Sequence, residues 1–298
     1  SSEVNFDTTH PLYGGALGHM SGDGSAAVVG GADAVLIVGT YVFPEVFPRL
    51  HSPFGPAARI VHIDADAYEI AKNFPVDLGI AADPKASLGA LAEALDADGR
   101  PPLPLPERGA PPAAQPASLM DHFARELAER APGTLAVFDE ALTASDAVTR
   151  HLPPREPGRY FQTRGGSLGV GIPGALGLKL ARPGLEVVGF TGDGGSMYTI
   201  QALWTAARYD IAAKFVICNN GRYQLLDDNL GAYRAQHGSP ALPPPQAFDL
   251  SRPDIRFTEL AGALGVPGTR VEKPDQVGPA VEALLSHPGP FLVDLLTA

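Results

Sequence analysis

Short apolar runs rich in β-branched residues alternate along this chain with stretches whose apolar positions recur every three or four residues. In the first third, ADAVLIVGT and ARIVHIDAD each end in turn or acidic residues and predict buried parallel strands. ASLGALAEAL, Ala86–Leu95, sets Leu88, Leu91 and Leu95 at helical spacing. Further on the alternation is more regular. Ser118 predicts a cap for a helix that shares Leu119, Phe123 and Leu127 on one face. Strand TLAVFD, helix ALTASDAVTRHL, a short strand YFQT and a helix after GGSLGVGIPGALG follow. Strand LEVVGFTGD, helix SMYTIQALWTAARY and strand KFVICNN come next, then a long proline-rich excursion through Asp249. Helix FTELAGALG, strand GTRVEK, helix DQVGPAVEALLSH and strand FLVDLL close the chain. The pattern predicts an α/β protein with a small Rossmann-like domain followed by a doubly wound, mostly parallel six-stranded sheet.

Composition sets the boundaries. PPLPLPERGAPPAAQP, residues 101–116, is too rich in proline for a ladder or a helix and predicts an extended linker. It separates residues 1–100 from 117–298, and a chain of 298 residues has room for a core in each part. The first residues carry no strand–helix unit of their own, as expected of a chain that begins partway into a larger protein. A net charge of −11 argues against a nucleic-acid partner. The single cysteine, Cys218, excludes an internal disulfide. SSEVNFDTTH has neither the basic nor the apolar part of a secretory leader. The most apolar run, SAAVVGGADAVLIVGTYVF, is broken by Asp33 and by glycines and does not read as a membrane span. These features predict a cytoplasmic protein.

The richest chemistry lies in TGDGGSMYTIQALWTAARYDIAAKFVICNN. Asp193 and Asn220 stand 27 positions apart, each just past the end of an apolar strand, with a crossover helix between. Open parallel sheets bind ligands at that edge, and neighboring strands are about 4.8 Å apart. A carboxylate, an amide oxygen and a nearby backbone carbonyl are hard ligands that suit Mg²⁺ and leave positions for phosphate oxygens. Gly194, Gly195 and Ser196 offer backbone N–H groups at a helix start, where an anion is favored. The residues alone therefore predict a divalent cation holding a phosphate or diphosphate. GGSLGVG could instead be a dinucleotide loop of an NAD-binding oxidoreductase, but it follows a poor strand and lacks the acid expected after the next one.

Gly192-Asp193-Gly194 followed by Asn219-Asn220 resembles the signature of thiamine diphosphate enzymes. GGSLGVGIPGALGLKLARPGLEVVGFTGDG is similar to the matching segment of the 2-keto acid decarboxylase and acetolactate synthase family. The ALWTAA and NNG runs are most similar to the benzoylformate decarboxylases within it. THPLYGG, VLIVGTYVF and IVHIDAD resemble that family's middle domain, so the likeness covers nearly the whole chain. It implies thiamine diphosphate and Mg²⁺ as cofactors and a 2-keto acid as substrate, with decarboxylation or carboligation as the reaction. Carried over by motif, Asp193 and Asn220 become side-chain ligands of Mg²⁺ and Arg222 a carbonyl ligand. Gly192 through Ser196 and Thr143 border the diphosphate, and Tyr223 is a further cofactor-binding candidate that reads equally as a substrate-side or a loop-packing residue. Leu168, 25 positions before Asp193 (193 − 168), becomes the residue that wedges beneath the cofactor, and the Gly166 carbonyl receives its amino group. These are the catalytic and cofactor-binding candidates.

The resemblance also implies what lies elsewhere. Family members carry an N-terminal pyrimidine domain with an activating glutamate, and no motif here supplies it; Glu140 belongs to the wrong one. The isolated chain is expected to be inactive, to need a pyrimidine domain from a missing N-terminal part or another chain, and to work in a homo-oligomer. A non-catalytic cofactor-binding module and one subunit of a split enzyme are the alternatives. Where the benzoylformate decarboxylases place a histidine, TYVFPEVFP puts Val46, with His51 five residues on, which weakens an aryl-keto acid expectation. Leu225 and Leu226 are candidates for a substrate cavity. His62, Cys218 and Trp204 read as packing residues, Asp64 and Asp66 as a strand-ending turn, and Tyr233 as either a loop or a pocket residue.

Overall fold

The computed structural model describes residues 4–17, 26, 28–42, 51–99, 118–163, 166–240 and 242–297. The proline-rich segment 101–116 and Val46 lie outside them. Contacts divide the chain into two compact units, Pro11–Arg108 and Ser1–His10 with Gly109–Ala298. The start of the chain belongs with the larger unit for a visible reason. The Thr8 N–H and hydroxyl both donate to the Pro154 carbonyl, at 3.0 and 2.9 Å, and Val4 packs on the core there.

The smaller unit holds a parallel sheet of β1 (Ala34–Val38), β2 (Arg59–Asp64) and β3 (Leu78–Ala81), in that order. β3 has only four residues, LGIA, and too little pattern to stand out in the sequence. Helix α1 (Pro84–Ala97) follows, capped by Asp83, whose side chain accepts the Ala86 N–H at 2.8 Å. Its Leu88, Leu91 and Leu95 are exposed, so the leucine spacing marks a helix but not a core within this unit. His62 is buried with its Nε2 2.9 Å from the Thr40 carbonyl, while its Nδ1 accepts the Ala71 N–H. Asp64 and Asp66 cap successive turns by accepting the N–H of Asp66 and Tyr68, each at 2.9 Å.

The larger unit is a six-stranded sheet in the order β5-β4-β6-β7-β9-β8, every pair parallel. The strands are β4 (Leu135–Glu140), β5 (Tyr160–Gln162), β6 (Glu186–Gly192), β7 (Lys214–Asn219), β8 (Gly268–Val271) and β9 (Phe291–Leu296). Alternate strand residues face opposite cores. Val188, Phe190, Val216 and Val293 meet α2 (Leu119–Arg130), α3 (Ser145–His151) and α9 (Val277–Ser286) on one side. Val187, Phe215, Ile217 and Leu292 meet α4 (Gly171–Ala181), α6 (Ala202–Arg208) and α8 (Phe257–Ala263) on the other. The chain leaves β4 for β5 on one side and then returns past β4 to β6 on the other. This reversal opens a crevice between the carboxyl ends of β4 and β6, where ligands of doubly wound sheets bind.

Three predicted elements differ. The crossover helix from Ser196 to Tyr209 is interrupted: α5 (Asp193–Ser196) and α6 are joined by turns in which Tyr198, Thr199 and Ala202 bond three residues back. Within α6 Trp204 faces outward, 52% exposed beside the Arg208 guanidinium, whereas Leu203 is fully buried, so Trp204 is not the packing residue its spacing suggested. The helix expected from Ala141 begins as a 3₁₀ turn, Leu142–Ala144, before α3. The excursion after β7 contains α7 (Gln224–Gln236), in which no residue is fully buried, so it lacks the strong apolar stripe that would have marked it.

Candidate cofactor site

The carboxyl ends of β6 and β7 are tied together through one side chain. Asp193 Oδ1 accepts the N–H of Gly194 at 2.7 Å, and its Oδ2 accepts those of Asn220 at 3.1 Å and Gly221 at 2.6 Å. The 27 positions from Asp193 to Asn220 thus leave one strand, cross over and return beside it. Asp193 is 4% exposed. Burial pushes its carboxyl up, while the N–H groups of Gly194, Gly221, Asn220 and Arg222 pull the other way.

The turn after β7 presents two more oxygens. Asn220 Oδ1 accepts the Arg222 N–H at 3.1 Å. The Arg222 carbonyl accepts the Gln224 N–H at 3.0 Å across an inverse γ-turn centered on Tyr223. The Arg222 side chain turns away to pair with Asp227. A carboxylate, an amide oxygen and a carbonyl that each keep acceptor capacity are a donor set that fits a hard divalent cation. Among the described residues no three His, Cys, Asp or Glu side chains cluster as a metal site, so this mixed oxygen set is the candidate.

Glycine is required beside it. A Cβ on Gly194 would collide with the Tyr223 ring, 2.8 Å from Cδ1 and nearer still to Cε1. Gly195 and Ser196 are buried, and the Ser196 hydroxyl donates to the Asp193 carbonyl at 2.7 Å, closing the short turn. Thr143 lies exposed on the 3₁₀ turn after β4, on the other bank of the crevice.

A buried carboxylate that sequence reasoning left without a role organizes the remaining wall. Glu140, 1% exposed at the end of β4, accepts the N–H groups of Gly169 and Gly171 on its two oxygens and the Thr191 hydroxyl at 3.3 Å. Burial raises its pKa against those hydrogen bonds. The Thr199 hydroxyl grips the same loop by donating to the Gly169 carbonyl at 2.6 Å, and Gly169 is held at φ +85°. Just before these anchored residues Leu168 stands 36% exposed, and Gly166 is exposed at φ +71°. Leu168 is therefore not core within the described residues. Leu225 is half-buried and Leu226 exposed at the start of α7, and Tyr233 is exposed further along it. Cys218 is buried in β7, its thiol pushed up by burial.

A doubly wound parallel sheet with an oxygen-lined turn beside its switch point is the architecture in which α/β proteins hold phosphates and cations. Comparison with known proteins narrows the class. Residues 143–295 match the thiamine pyrophosphate enzyme C-terminal TPP binding domain, and residues 3–91 match the central domain of the same enzymes. The chain belongs to the thiamine pyrophosphate (diphosphate) enzyme family, whose cofactor binds with Mg²⁺.

Benzoylformate decarboxylase of Pseudomonas aeruginosa is 31% identical over 306 residues, covering 100% of this chain and 54% of the relative. Acetolactate synthase isozyme 2 large subunit of Escherichia coli is 25% identical over 297 residues, covering 96% and 52%. Among solved structures, the thiamine diphosphate-dependent 4-hydroxybenzoylformate decarboxylase of Rhodococcus jostii superposes with a TM-score of 0.83 at 30% identity, covering 99% of this chain and 54% of that one. The chain spans about half the length of the curated relatives it matches. Among the described residues no helix is long and apolar enough to cross a membrane.

Proposed function

We propose that this chain is the diphosphate- and Mg²⁺-binding portion of an enzyme that decarboxylates a 2-keto acid or ligates the product to a second carbonyl. The observation that carries the proposal is the Asp193 carboxylate at the switch-point edge, joined by its N–H bonds to the turn bearing Asn220 and Arg222. Asp193, Asn220 Oδ1 and the Arg222 carbonyl would hold Mg²⁺. The N–H groups of Gly195 and Ser196 and the Thr143 hydroxyl would receive the diphosphate, with Gly192, Asp193 and Gly194 bordering it, and the Tyr223 ring closes that side. Leu168, on the loop that Glu140 and Thr199 anchor, would support the cofactor from below, with the Gly166 carbonyl accepting its amino group. The chemistry supplied by bound thiamine diphosphate is an electron sink for the carbanion formed as CO₂ leaves.

Glu140 is not the activating glutamate of this reading: it is 1% exposed at the end of β4, where it pins the Gly169 and Gly171 N–H groups. That group belongs to a pyrimidine domain outside these residues, contributed by the same protein or another chain, in a cytoplasmic homo-oligomer. The chain alone is inactive in this reading. Calorimetric titration of thiamine diphosphate into the chain joined to a family pyrimidine domain tests it. Binding that requires Mg²⁺ is expected; no Mg²⁺-dependent binding sinks the proposal. A non-catalytic module would bind in the same way yet release no CO₂ from any 2-keto acid.

A further inference from the structure

Three adjacent strands carry a polar row into an otherwise apolar face. Asp294 in β9 stands opposite Arg270 in β8 and two residues out of step with Asn219 in β7. Asp294 is fully buried and Asn219 is 5% exposed. Asp294 Oδ1 accepts the Asn219 side-chain N–H at 2.9 Å, and its Oδ2 accepts the Arg270 guanidinium at 3.3 Å. Arg270 is held from outside by Asp254 at 3.1 Å and Glu272 at 3.0 Å. Asn219 Oδ1 accepts the Gly221 N–H at 3.2 Å, the same N–H that Asp193 Oδ2 takes at 2.6 Å.

The orientation of the Asn219 amide follows from donor and acceptor counting. An ionized carboxylate only accepts, so Asp294 turns the NH₂ of Asn219 toward itself. The amide oxygen is thereby aimed at Gly221. A flipped amide would set its NH₂ against the Gly221 N–H, donor facing donor, with the Asp294 oxygen unpaired. Both errors would be buried and costly. Gly221 sits at φ +69°, and its N–H is the shared anchor that keeps the Asn220 turn against Asp193. Groups behind a ligand shell that fix its orientation change metal affinity by about 10- to 100-fold when removed.

We propose that Asp294, held by Arg270, is a positioning residue for the cation-binding turn, acting through the Asn219 amide and the Gly221 N–H on Asp193 and Asn220. The inference rests on the cofactor reading above. It adds a path that begins on β8, outside the glycine–aspartate and paired-asparagine motif.

The test compares Asp294→Leu with Asp294→Asn. Leucine fills similar volume but accepts nothing; asparagine can still offer an oxygen to Asn219 while Arg270 keeps Asp254 and Glu272. Hydrogen exchange on the chain itself should show the Asn220 and Gly221 amides exchanging faster in Asp294→Leu and close to wild type in Asp294→Asn. In the chain joined to a pyrimidine domain, Asp294→Leu should weaken Mg²⁺-dependent thiamine diphosphate binding by about 10- to 100-fold, with Asp294→Asn restoring most of it. Val281→Ala, in the opposite core, controls for general destabilization and should leave affinity unchanged. Unaltered exchange at Asn220 and Gly221 in Asp294→Leu would overturn the proposal. So would an affinity loss shared equally by Val281→Ala. If wild type itself binds no cofactor, the reading of the site fails, and the exchange measurement still decides whether Asp294 orders the turn.

Discussion

The Tyr223 ring lies against the bare α-carbon of Gly194, so the turn after β7 packs directly on the turn after β6. A methyl group at residue 194 has nowhere to go unless the ring moves. Gly194→Ala should therefore destabilize the chain by about 1–3 kcal/mol, the usual cost of overpacking. Gly194→Ala with Tyr223→Ala should recover most of that loss. Urea unfolding of the three proteins reads both effects. A single substitution that leaves the midpoint unmoved would show that the ring does not seal the site.

Glu140 carries two backbone donors of the loop bearing Leu168. Glu140→Ala leaves the Gly169 and Gly171 N–H groups buried without an acceptor, an expected cost of about 2–3 kcal/mol. Glu140→Gln keeps one acceptor oxygen but turns an NH₂ toward the other N–H, so its cost should fall between alanine and wild type. Denaturant midpoints give the order. Equal stability for all three would mean that the loop is held by Thr199 alone.

Much of this architecture was legible in the residues. The four central strands of the larger sheet, β4, β6, β7 and β9, announce themselves because each is an apolar run buried on both faces, the circumstance in which local composition and tertiary environment agree; the short edge strands β5 and β8 are half-exposed and show only through their place in the alternation. The Asp193 and Asn220 pair was legible because strand, crossover and strand impose a length on the segment between them. Elements that bury little escaped: α7 has no fully buried residue, and β3 is four residues long. The crossover was misread as continuous because helical spacing does not reveal that the Thr199 hydroxyl is needed at Gly169. Glu140, Asn219 and Asp294 could not be assigned from spacing, since the side chains and loops that fix them lie mostly 24 to 75 residues away and are met only through the sheet.

Asp121 gives the larger unit an acid-sensitive anchor. It completes the capping box of α2 with Ser118 and also meets His151 at 3.2 Å and Arg150. Burial alone would raise its carboxyl, but the Ser118 hydroxyl and N–H, His151 and Arg150 together hold it below the ordinary 3.8. A depressed carboxyl contributes stability above its unfolded value and loses it as pH falls through the folded one. Asp121→Ala should cost about 1 kcal/mol at pH 7. The gap from wild type should close as pH drops below 3.8 toward the folded value. Thermal melts of both proteins across that range check the sign. A gap that widens on acidification contradicts it.

Leu168 separates a cofactor support from ordinary packing. At 36% exposure it stands on a loop that is anchored without its help, by Glu140 on the Gly169 N–H and Thr199 on the Gly169 carbonyl. Leu168→Ala should then leave stability within about 0.5 kcal/mol of wild type, as for other surface positions. A side chain that bears on the cofactor should show its effect only once the cofactor is bound. The same substitution is expected to weaken thiamine diphosphate binding and slow 2-keto acid decarboxylation in the chain joined to a pyrimidine domain. Leu168→Met, which fills similar space, should retain most of both. Urea melts, calorimetry and CO₂ release form the set. A variant that unfolds early yet binds normally would return Leu168 to the core and remove it from the site.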